Sequence, residues 1–347
     1  MRIVTLLMGL VLTSNVFAGS INLGTAGKYN AFVKNDFTAT NSDTQGRVAV
    51  GGNLNVNGGY DIGFKINDFN MGKGPSLVVG GDVNKSGQGF LNVYEDGKHL
   101  SPHSGELVYA GNINHTQGGL EANLVKVEKS KLPVNFDDEF AYLNTLSNAL
   151  AKRTTTGTIE KVYSELKFNA SGQHPTDNVY VFNVTEDQLN STTDWNITGV
   201  SDDATIVFNI NKSTNPEQNV GQTIRFGQTQ LSINGKLAHD HVAEHNMDNR
   251  LPSQVLFNFA GAAQLDLQTS LVGTILAPSA DIKANPSVIW GSVIGKSWQG
   301  NMQINHDPFK SSDDPVPPVG VPEPSTLMIM LLGLVGLAVR KLKIQKA

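Results

Sequence analysis

Three glycine-centred segments recur along the chain, and this recurrence limits its fold more than any other feature. Each runs from a short apolar stretch through a glycine into Asn or Asp, and the three are 48–55, 77–84 and 107–114. Their glycines Gly52, Gly81 and Gly111 recur at a period of about 30 residues, which is typical of a solenoid with one strand-turn-strand corner per repeat. Hairpins in a β-sandwich remain the alternative, because they also use Gly-Asn and Gly-Asp corners.

A shorter rhythm occupies the C-terminal third, in segments 255–261, 272–278 and 291–296. Ala260, Ala277 and Gly295 align across these segments at a period of about 18 residues, which is the length of a rung of three short strands and three corners. The rhythm therefore predicts successive coils of a β-helix.

One amphipathic helix is predicted between the two rhythmic regions. Its apolar stripe is Phe140, Leu143, Leu146 and Leu150, with acidic residues 137–139 on the first turn and Lys152 and Arg153 on the last. A lone helix of this length is marginal in water, so its apolar face must pack on the flank of the β-helix. The predicted fold is mainly β, a β-helix or solenoid with one α-helix along its side, plus an N-terminal signal helix and a C-terminal transmembrane-like helix.

The segment 1–18 has the order of a secretory signal peptide. Arg2 precedes the apolar stretch 3–12, and a small-residue site follows at 16–18. This order predicts cleavage between Ala18 and Gly19. The chain has no cysteine, so its stability must come from packing and hydrogen bonds.

The C-terminal segment 321–347 has the order of a sorting signal. A Pro- and Asp-rich linker, 307–320, precedes the motif Val321, Pro322, Glu323 and Pro324; the apolar segment 327–339 and the basic residues Arg340, Lys341 and Lys343 follow. An apolar segment of this length makes roughly 20 Å of helix, short of the roughly 30 Å hydrocarbon core. The segment therefore predicts a transient inner-membrane anchor, with its basic cluster on the cytoplasmic side.

The charge balance disfavours nucleic acid and anionic lipid as partners of the exported body. The formal net charge is −5, and five of the 26 basic residues lie in the two terminal segments, so the body is more acidic than the whole chain.

Segments 29–56, 255–267 and 273–284 resemble the choice-of-anchor A family of secreted surface proteins. The resemblance covers nearly all of 19–306 and implies a non-enzymatic, adhesin-like domain, a β-helix with a helix along one side as in ice-binding-like adhesive domains. Gln45 departs from the family, in which an acidic residue is expected. The tail resembles a PEP-CTERM sorting signal, which implies processing by an exosortase-like enzyme.

The function predicted on this basis is adhesion at the cell surface or in the extracellular matrix of a Gram-negative bacterium. Extracellular polysaccharide or surface proteins are the expected partners, contacted by solvent-facing Asn, Thr, Ser and Asp side chains of the coils. The alternative is a specific glycan-binding or ice-binding protein on the same scaffold. Ice binding predicts regular Thr arrays on a flat face, whereas the polar positions here carry Asn, Asp, Gln and Lys.

A histidine cluster supports a remote third alternative, a zinc-dependent hydrolase. His241, Glu244 and His245 fit the H-x-x-E-H pattern. A catalytic zinc site needs a third protein ligand, and no other Glu occurs between Glu244 and Glu323. A polar loop is therefore the favoured interpretation, and no catalytic or metal site is assigned.

Calcium is the cofactor left open by the sequence. Acidic residues at predicted corners, Asp36, Asp43, Asp61 and Asp68, have the chemistry to bind it. No EF-hand or nonapeptide calcium repeat accompanies them, and Asp is also a common turn residue.

Overall fold

The computed structural model describes residues 21–66, 74–95, 103–227, 230–243, 245 and 251–310. The chain divides into two compact units, 1–311 and 312–347, and every described residue belongs to the first. The predicted signal peptide, the sorting motif and the C-terminal apolar segment lie outside the described residues. Within the described ranges, no helix is both long enough and apolar enough to cross a membrane.

The described residues form a mainly β domain. The strands before the long helix are β1 (Ala31–Val33), β2 (Phe37–Thr44), β3 (Val48–Val50), β4 (Leu54–Ile62), β5 (Leu77–Val79), β6 (Val83–Ser86), β7 (Phe90–Val93), β8 (Glu106–Tyr109), β9 (Ile113–His115), β10 (Gly119–Glu121) and β11 (Asn123–Lys126). The helices are α1 (Phe136–Ala151) and the short α2 (Glu186–Asn190). The strands after α1 are β12 (Thr158–Val162), β13 (Glu165–Asn169), β14 (Val179–Thr185), β15 (Asp194–Thr198), β16 (Thr205–Asn211), β17 (Thr223–Phe226), β18 (Gln230–Ile233), β19 (Lys236–Leu237), β20 (Val255–Asn258), β21 (Gln264–Leu267), β22 (Leu271–Val272), β23 (Thr274–Ala284), β24 (Val288–Trp290), β25 (Val293–Gly300) and β26 (Gln303–Asn305).

One face of the solenoid is a continuous stack of parallel strands whose spatial order differs from the chain order. The stack runs β14, β16, β20, β23, β25, β1, β3, β5, β8 and β11. The domain thus begins in the middle of the stack at β1 and proceeds to β11. Helix α1 then returns the chain to the other end, and the later coils close back on β1.

The predicted coils are confirmed by the strand register. Val48 pairs with Leu77, and Leu77 pairs with Leu107, which is the repeat predicted from the glycines. In the C-terminal third, Ala277 pairs with Gly295 as predicted. The alignment of Ala260 with Ala277 was one position out, because Asn258 pairs with Leu276. The longer coils carry their extra residues between β4 and β5 and between β7 and β8.

Helix α1 covers the continuous stack, as the sequence predicts. The stripe Phe140, Leu143, Leu146 and Leu150 is buried. The ring of Phe140 stacks on Phe32 of β1 at a centroid distance of 5.4 Å. Because strands such as β3, β5 and β20 are buried on both sides, they read as uninterrupted apolar runs rather than as alternating ones. Burial of each of these large apolar side chains contributes about 1.5–3 kcal/mol of hydrophobic free energy to folding.

The C-terminal end of α1 is held by an asparagine ladder that no local sequence pattern indicates. Asn258 donates to the carbonyl oxygen of Ser147 at 2.9 Å, Asn209 to that of Leu150 at 2.8 Å, and Asn183 to that of Arg153 at 3.0 Å. The carbonyl of Leu150 lies in the last turn of α1, where carbonyl groups lack partners within the helix. The bonds to Ser147 and Arg153 fasten the helix and the residues after it to the stack. The helix ends at Ala151 with Lys152 as its C-cap, so the prediction that Lys152 and Arg153 form its last turn was wrong.

A second sheet closes another side of the coils that contain β14 and β16. Strands β13, β15 and β18 are parallel, and β12 and β19 flank them in antiparallel orientation. The inward side chains of this sheet, among them Leu166, Phe168 and Trp195, join the solenoid core. Among the described residues, the fold class is therefore the predicted one, a solenoid with a helix along its flank.

Candidate functional site

One face of the solenoid, built from both halves of the chain, carries outward polar side chains that include the Asn and Thr types expected from the sequence. It consists of β17, β21, the second halves of β23 and β25, β2, the first half of β4, β6 and β9, and is called the polar face below. One outward row crosses all eight strands: Arg225, Asp266, Lys283, Gln299, Thr38, Asn55, Asn84 and Asn114. With strands about 4.8 Å apart, the row is about 34 Å long.

Half of this row is a hydrogen-bonded ladder of three asparagines that ends on Thr38, called the amide ladder below. Asn114 donates its side-chain amide to the Asn84 side-chain oxygen at 2.9 Å, and Asn84 donates to Asn55 at 2.8 Å. Asn55 donates in turn to the hydroxyl oxygen of Thr38 at 3.3 Å. Each amide keeps a second N–H and a second lone pair for solvent or a ligand. The ladder therefore presents evenly spaced donors and acceptors in fixed orientations.

A second ladder runs along the neighbouring corner and explains the recurring glycines. In each step a side-chain oxygen accepts a hydrogen bond from a backbone N–H of the next coil. Asp36 accepts from Asn53 at 2.7 Å, Asn53 from Asp82 at 2.8 Å, and Asp82 from Asn112 at 2.7 Å. A Cβ at Gly81 would lie 2.4 Å from the side-chain oxygen of Asn53. The glycine is thus required by close approach between coils and not by a left-handed φ.

The other half of the row consists of three charged residues and the neutral Gln299. Arg225, Asp266 and Lys283 alternate in sign on adjacent strands. Beside them, Asp281 accepts hydrogen bonds from Ser297 at 2.6 Å and from Lys296 at 2.9 Å. Partial burial raises the pKa of Asp281, but these two hydrogen bonds and the Lys296 charge outweigh it and hold the pKa below its ordinary value.

The acidic candidates for calcium have partners inside the fold. Asp36 belongs to the corner ladder, and Asp61 accepts from the side-chain amide of Asn92 at 2.7 Å. Asp43 lies beside Asp61 on the adjacent strand, and Asp68 is outside the described residues. In the described part of the chain, no three His, Asp or Glu side chains are grouped so that they could hold a metal ion.

The described residues of the histidine cluster do not lie on an α-helix. Ala238–His241 form a 3-10 helix, and His245 follows as a turn residue. The rings of His239 and His245 have centroids 5.5 Å apart, and that of His239 packs edge-on against Trp290. Glu244 lies outside the described residues. The geometry of an α-helical H-x-x-E-H zinc site, with both histidines on one helical face, is not formed by the described residues of this stretch.

A cavity of about 690 Å³ lies beside the end of α1. Several of its polar lining residues have partners within the fold. Arg153 pairs with Asp177 at 2.8 Å, Asn183 belongs to the ladder under α1, and Asn211 accepts from Asn219 at 2.9 Å.

Gln45 has a structural role that the sequence could not assign. It is buried, and its side-chain oxygen accepts from the backbone N–H of His306 at 2.9 Å. It thereby ties the end of β2 to the segment after β26. The polar-face residues Lys283, Gln299 and Arg225 were also not singled out, because only the register places them in one row with Thr38.

Comparisons with known families give two matches that divide the chain. Residues 22–306 match the family described as an ice-binding-like adhesive domain. Residues 320–343 match the PEP-CTERM protein-sorting motif, which indicates export to the envelope or the extracellular side of a Gram-negative cell. No curated protein matches the chain. The adhesive-domain and sorting-signal resemblances are confirmed, whereas the choice-of-anchor A assignment stays a prediction.

Solved structures with a detectable likeness include three ice-binding proteins. One from the Antarctic ascomycete Antarctomyces psychrotrophicus is 14% identical, with 84% of this chain and 100% of that chain covered and a TM-score of 0.34. The Shewanella frigidimarina ice-binding protein_1 DUF3494 domain is 10% identical, with 83% of this chain and 95% of that chain covered and a TM-score of 0.35. A glycosylated ice-binding protein from Arctic yeast is 12% identical, with 87% of this chain and 100% of that chain covered and a TM-score of 0.36.

Proposed function

The chain belongs to the family of ice-binding-like adhesive domains, and from this premise we propose that it is an exported, non-enzymatic adhesin-like protein. It acts at the cell surface or in the extracellular matrix of a Gram-negative bacterium. Its partners are extracellular polysaccharide or surface proteins. The polar face makes the contact.

The observation that carries this proposal is the amide ladder of Asn55, Asn84 and Asn114 in line with the charged half of the row. A rigid array repeating about every 4.8 Å can hydrogen-bond a long polymer at many points at once. Weak contacts on one rigid support add up to strong attachment, because after the first contact the others form at high effective concentration. This arrangement suits adhesion better than the capture of one small molecule.

Attachment of the full chain to the bacterium's own matrix polysaccharide tests the polar face. Lys283→Glu and Asn84→Leu each change the row, and we expect each to weaken attachment several-fold, since charge pattern and ladder continuity are lost. Lys131→Glu makes the same charge change at an exposed residue of the 3-10 helix Lys129–Lys131. Equal attachment by all three variants and the unaltered protein would exclude the polar face as the contact surface.

Sorting is tested by the intact mass and the location of the native protein. The proposal includes signal cleavage between Ala18 and Gly19 and processing of the tail near the Pro-Glu-Pro motif by an exosortase-like enzyme. A product with these ends, found in the medium or on the surface, supports transient anchoring. A full-length tail retained in the inner membrane contradicts it and makes the apolar segment a permanent anchor.

Ice binding is the second candidate, because the matched family is ice-binding-like. The polar face argues against it, since the long row contains one threonine, Thr38, among amides and charges. A thermal-hysteresis assay at micromolar protein separates the two functions. Measurable hysteresis that is lost in Asn84→Leu would assign the polar face to ice.

A further inference from the structure

Tyr163 stands at the tip of the β12–β13 hairpin in a backbone conformation that a tyrosine rarely adopts. Its φ is +54°, and 94% of its surface is exposed. The other non-glycine residues with positive φ in the described part of the chain are Asn41, Asn178 and Asn234. Asparagine tolerates the left-handed region, because its short side chain bonds locally to the backbone.

This tyrosine destabilises the turn and gains little from its surroundings. The left-handed region is unfavourable for a residue with a bulky side chain, and an exposed ring gains almost nothing from burial. Asn or Gly would adopt this backbone conformation at a lower cost in free energy. A strained, exposed residue of this kind points to a use outside the fold.

The ring lies at the edge of a groove of about 380 Å³ on the five-stranded sheet. The groove is lined by two outward rows on β13, β15 and β18. One row is Glu165, Asp194 and Gln230, and the other contributes Asn196 and Ser232. The buried Trp195 lies beneath them and fixes the floor through the core.

The groove combines oriented acceptors with an amide and a hydroxyl that no other described residue engages. Glu165 is oriented by the side-chain amide of Asn196 at 3.3 Å and by Lys167 at 3.5 Å, and Asp194 accepts from the hydroxyl of Thr193 at 2.7 Å. Neither Gln230 nor Ser232 uses its side chain in a hydrogen bond to another described residue. Carboxylate oxygens, an amide and a hydroxyl beside an exposed aromatic ring are the complement of a sugar: hydroxyl groups bond to the polar groups, and the C–H face of the pyranose stacks on the ring.

We propose that this groove binds an uncharged pyranose unit of a polysaccharide, with the sugar ring stacked on Tyr163. The carboxylates of Glu165 and Asp194 accept hydrogen bonds from its hydroxyl groups and repel uronate or sulfated sugars. The groove lies on a different sheet from the polar face. The inference therefore goes beyond the proposed adhesive role, and either can fail while the other stands.

The test measures binding of oligosaccharides to the full chain by saturation-transfer NMR and calorimetry. The probes are cellohexaose, maltohexaose, laminarihexaose and xylohexaose, with an alginate hexamer as the anionic probe. We expect at least one neutral hexamer to bind and the alginate hexamer not to bind. Tyr163→Asn should weaken binding about tenfold or more, and Tyr163→Phe, which keeps the ring, should stay close to the unaltered protein.

The melting temperature of the same variants separates a binding role from a structural one. Tyr163→Asn should be at least as stable as the unaltered protein, because Asn suits the left-handed turn. Failure of all four neutral hexamers to bind at millimolar concentration overturns the proposal. Unchanged affinity of Tyr163→Asn also overturns it, as does a clear loss of stability in that variant. Loss of polar-face attachment in Lys283→Glu with sugar binding intact would show that the two sites are separate.

Discussion

Asn30 donates its side-chain amide to the carbonyl oxygen of Gly291 at 2.5 Å, although the two residues come from opposite ends of the domain. The same amide reaches the carbonyl oxygen of Asn305 at 3.2 Å, and its side-chain oxygen accepts from the backbone N–H of Gly46 at 3.0 Å. Asn30 is fully buried immediately before β1, where the first strand enters between β25 and β3. One side chain thus closes the seam between the beginning and the end of the solenoid.

Replacing Asn30 should open this seam. Asn30→Ala removes three buried hydrogen bonds and leaves their partners unsatisfied, so we expect a loss of about 2–4 kcal/mol in the free energy of unfolding. Denaturant unfolding measures it. Asn35→Ala, at an exposed position on the next loop, should change stability by less than about 0.5 kcal/mol. Equal stability of the two variants would mean that the seam does not depend on Asn30.

Glycine at the coil corners should be irreplaceable for steric reasons. In Gly81→Ala, the new Cβ would lie 2.4 Å from the Asn53 side-chain oxygen and 2.8 Å from the carbonyl oxygen of Gly52. We expect a loss of about 2–4 kcal/mol, because both neighbours are fixed by the stacked coils. Gly59→Ala is the matched control, since its Cβ would meet nothing closer than 3.9 Å. A neutral Gly81→Ala would contradict the close-approach explanation.

Lys85 should hold the last described coil of the N-terminal half in place. Its buried ammonium group donates to the carbonyl oxygens of Ser86 at 2.7 Å, Gly87 at 2.9 Å and Gln117 at 3.3 Å, and burial lowers its pKa. Lys85→Met leaves these carbonyls without their donor, which should lower stability by about 1–3 kcal/mol. Hydrogen exchange should accelerate in residues 113–121 before the rest of the domain. Uniform exchange across all coils would argue against this local role.

Alkaline pH should unfold the domain through buried tyrosines. Burial raises the pKa of Tyr29 to about 12, with Arg47 lowering it and Glu139 raising it further. Because the folded-state pKa lies above the unfolded value of 10, the stability that Tyr29 contributes is complete below about pH 10 and is lost as the pH rises towards 12. The slope is about 1.4 kcal/mol per pH unit for this residue. Tyr29→Phe should reduce the slope of unfolding free energy between pH 10 and 12 by that amount, and an unchanged slope would contradict it.

The sequence predicted those features that depend on neighbours along the chain. The apolar stripe of α1, the coil spacing through Gly52, Gly81 and Gly111, and the tail signal are all local patterns. Their physical basis is the period of a helix or of a strand-and-corner repeat, which a single segment carries by itself. The family resemblance depends on such segments too.

Only the tertiary structure decided which coils are neighbours. Thr38 lies beside Gln299 in the polar face because β2 pairs with β25, and no local pattern encodes that pairing. The strained Tyr163 likewise gains its groove from Asp194 and Gln230 on strands that follow much later. Parallel strands are joined by hydrogen bonds between residues far apart in the sequence, so the polar face and the groove exist only once the coils have stacked.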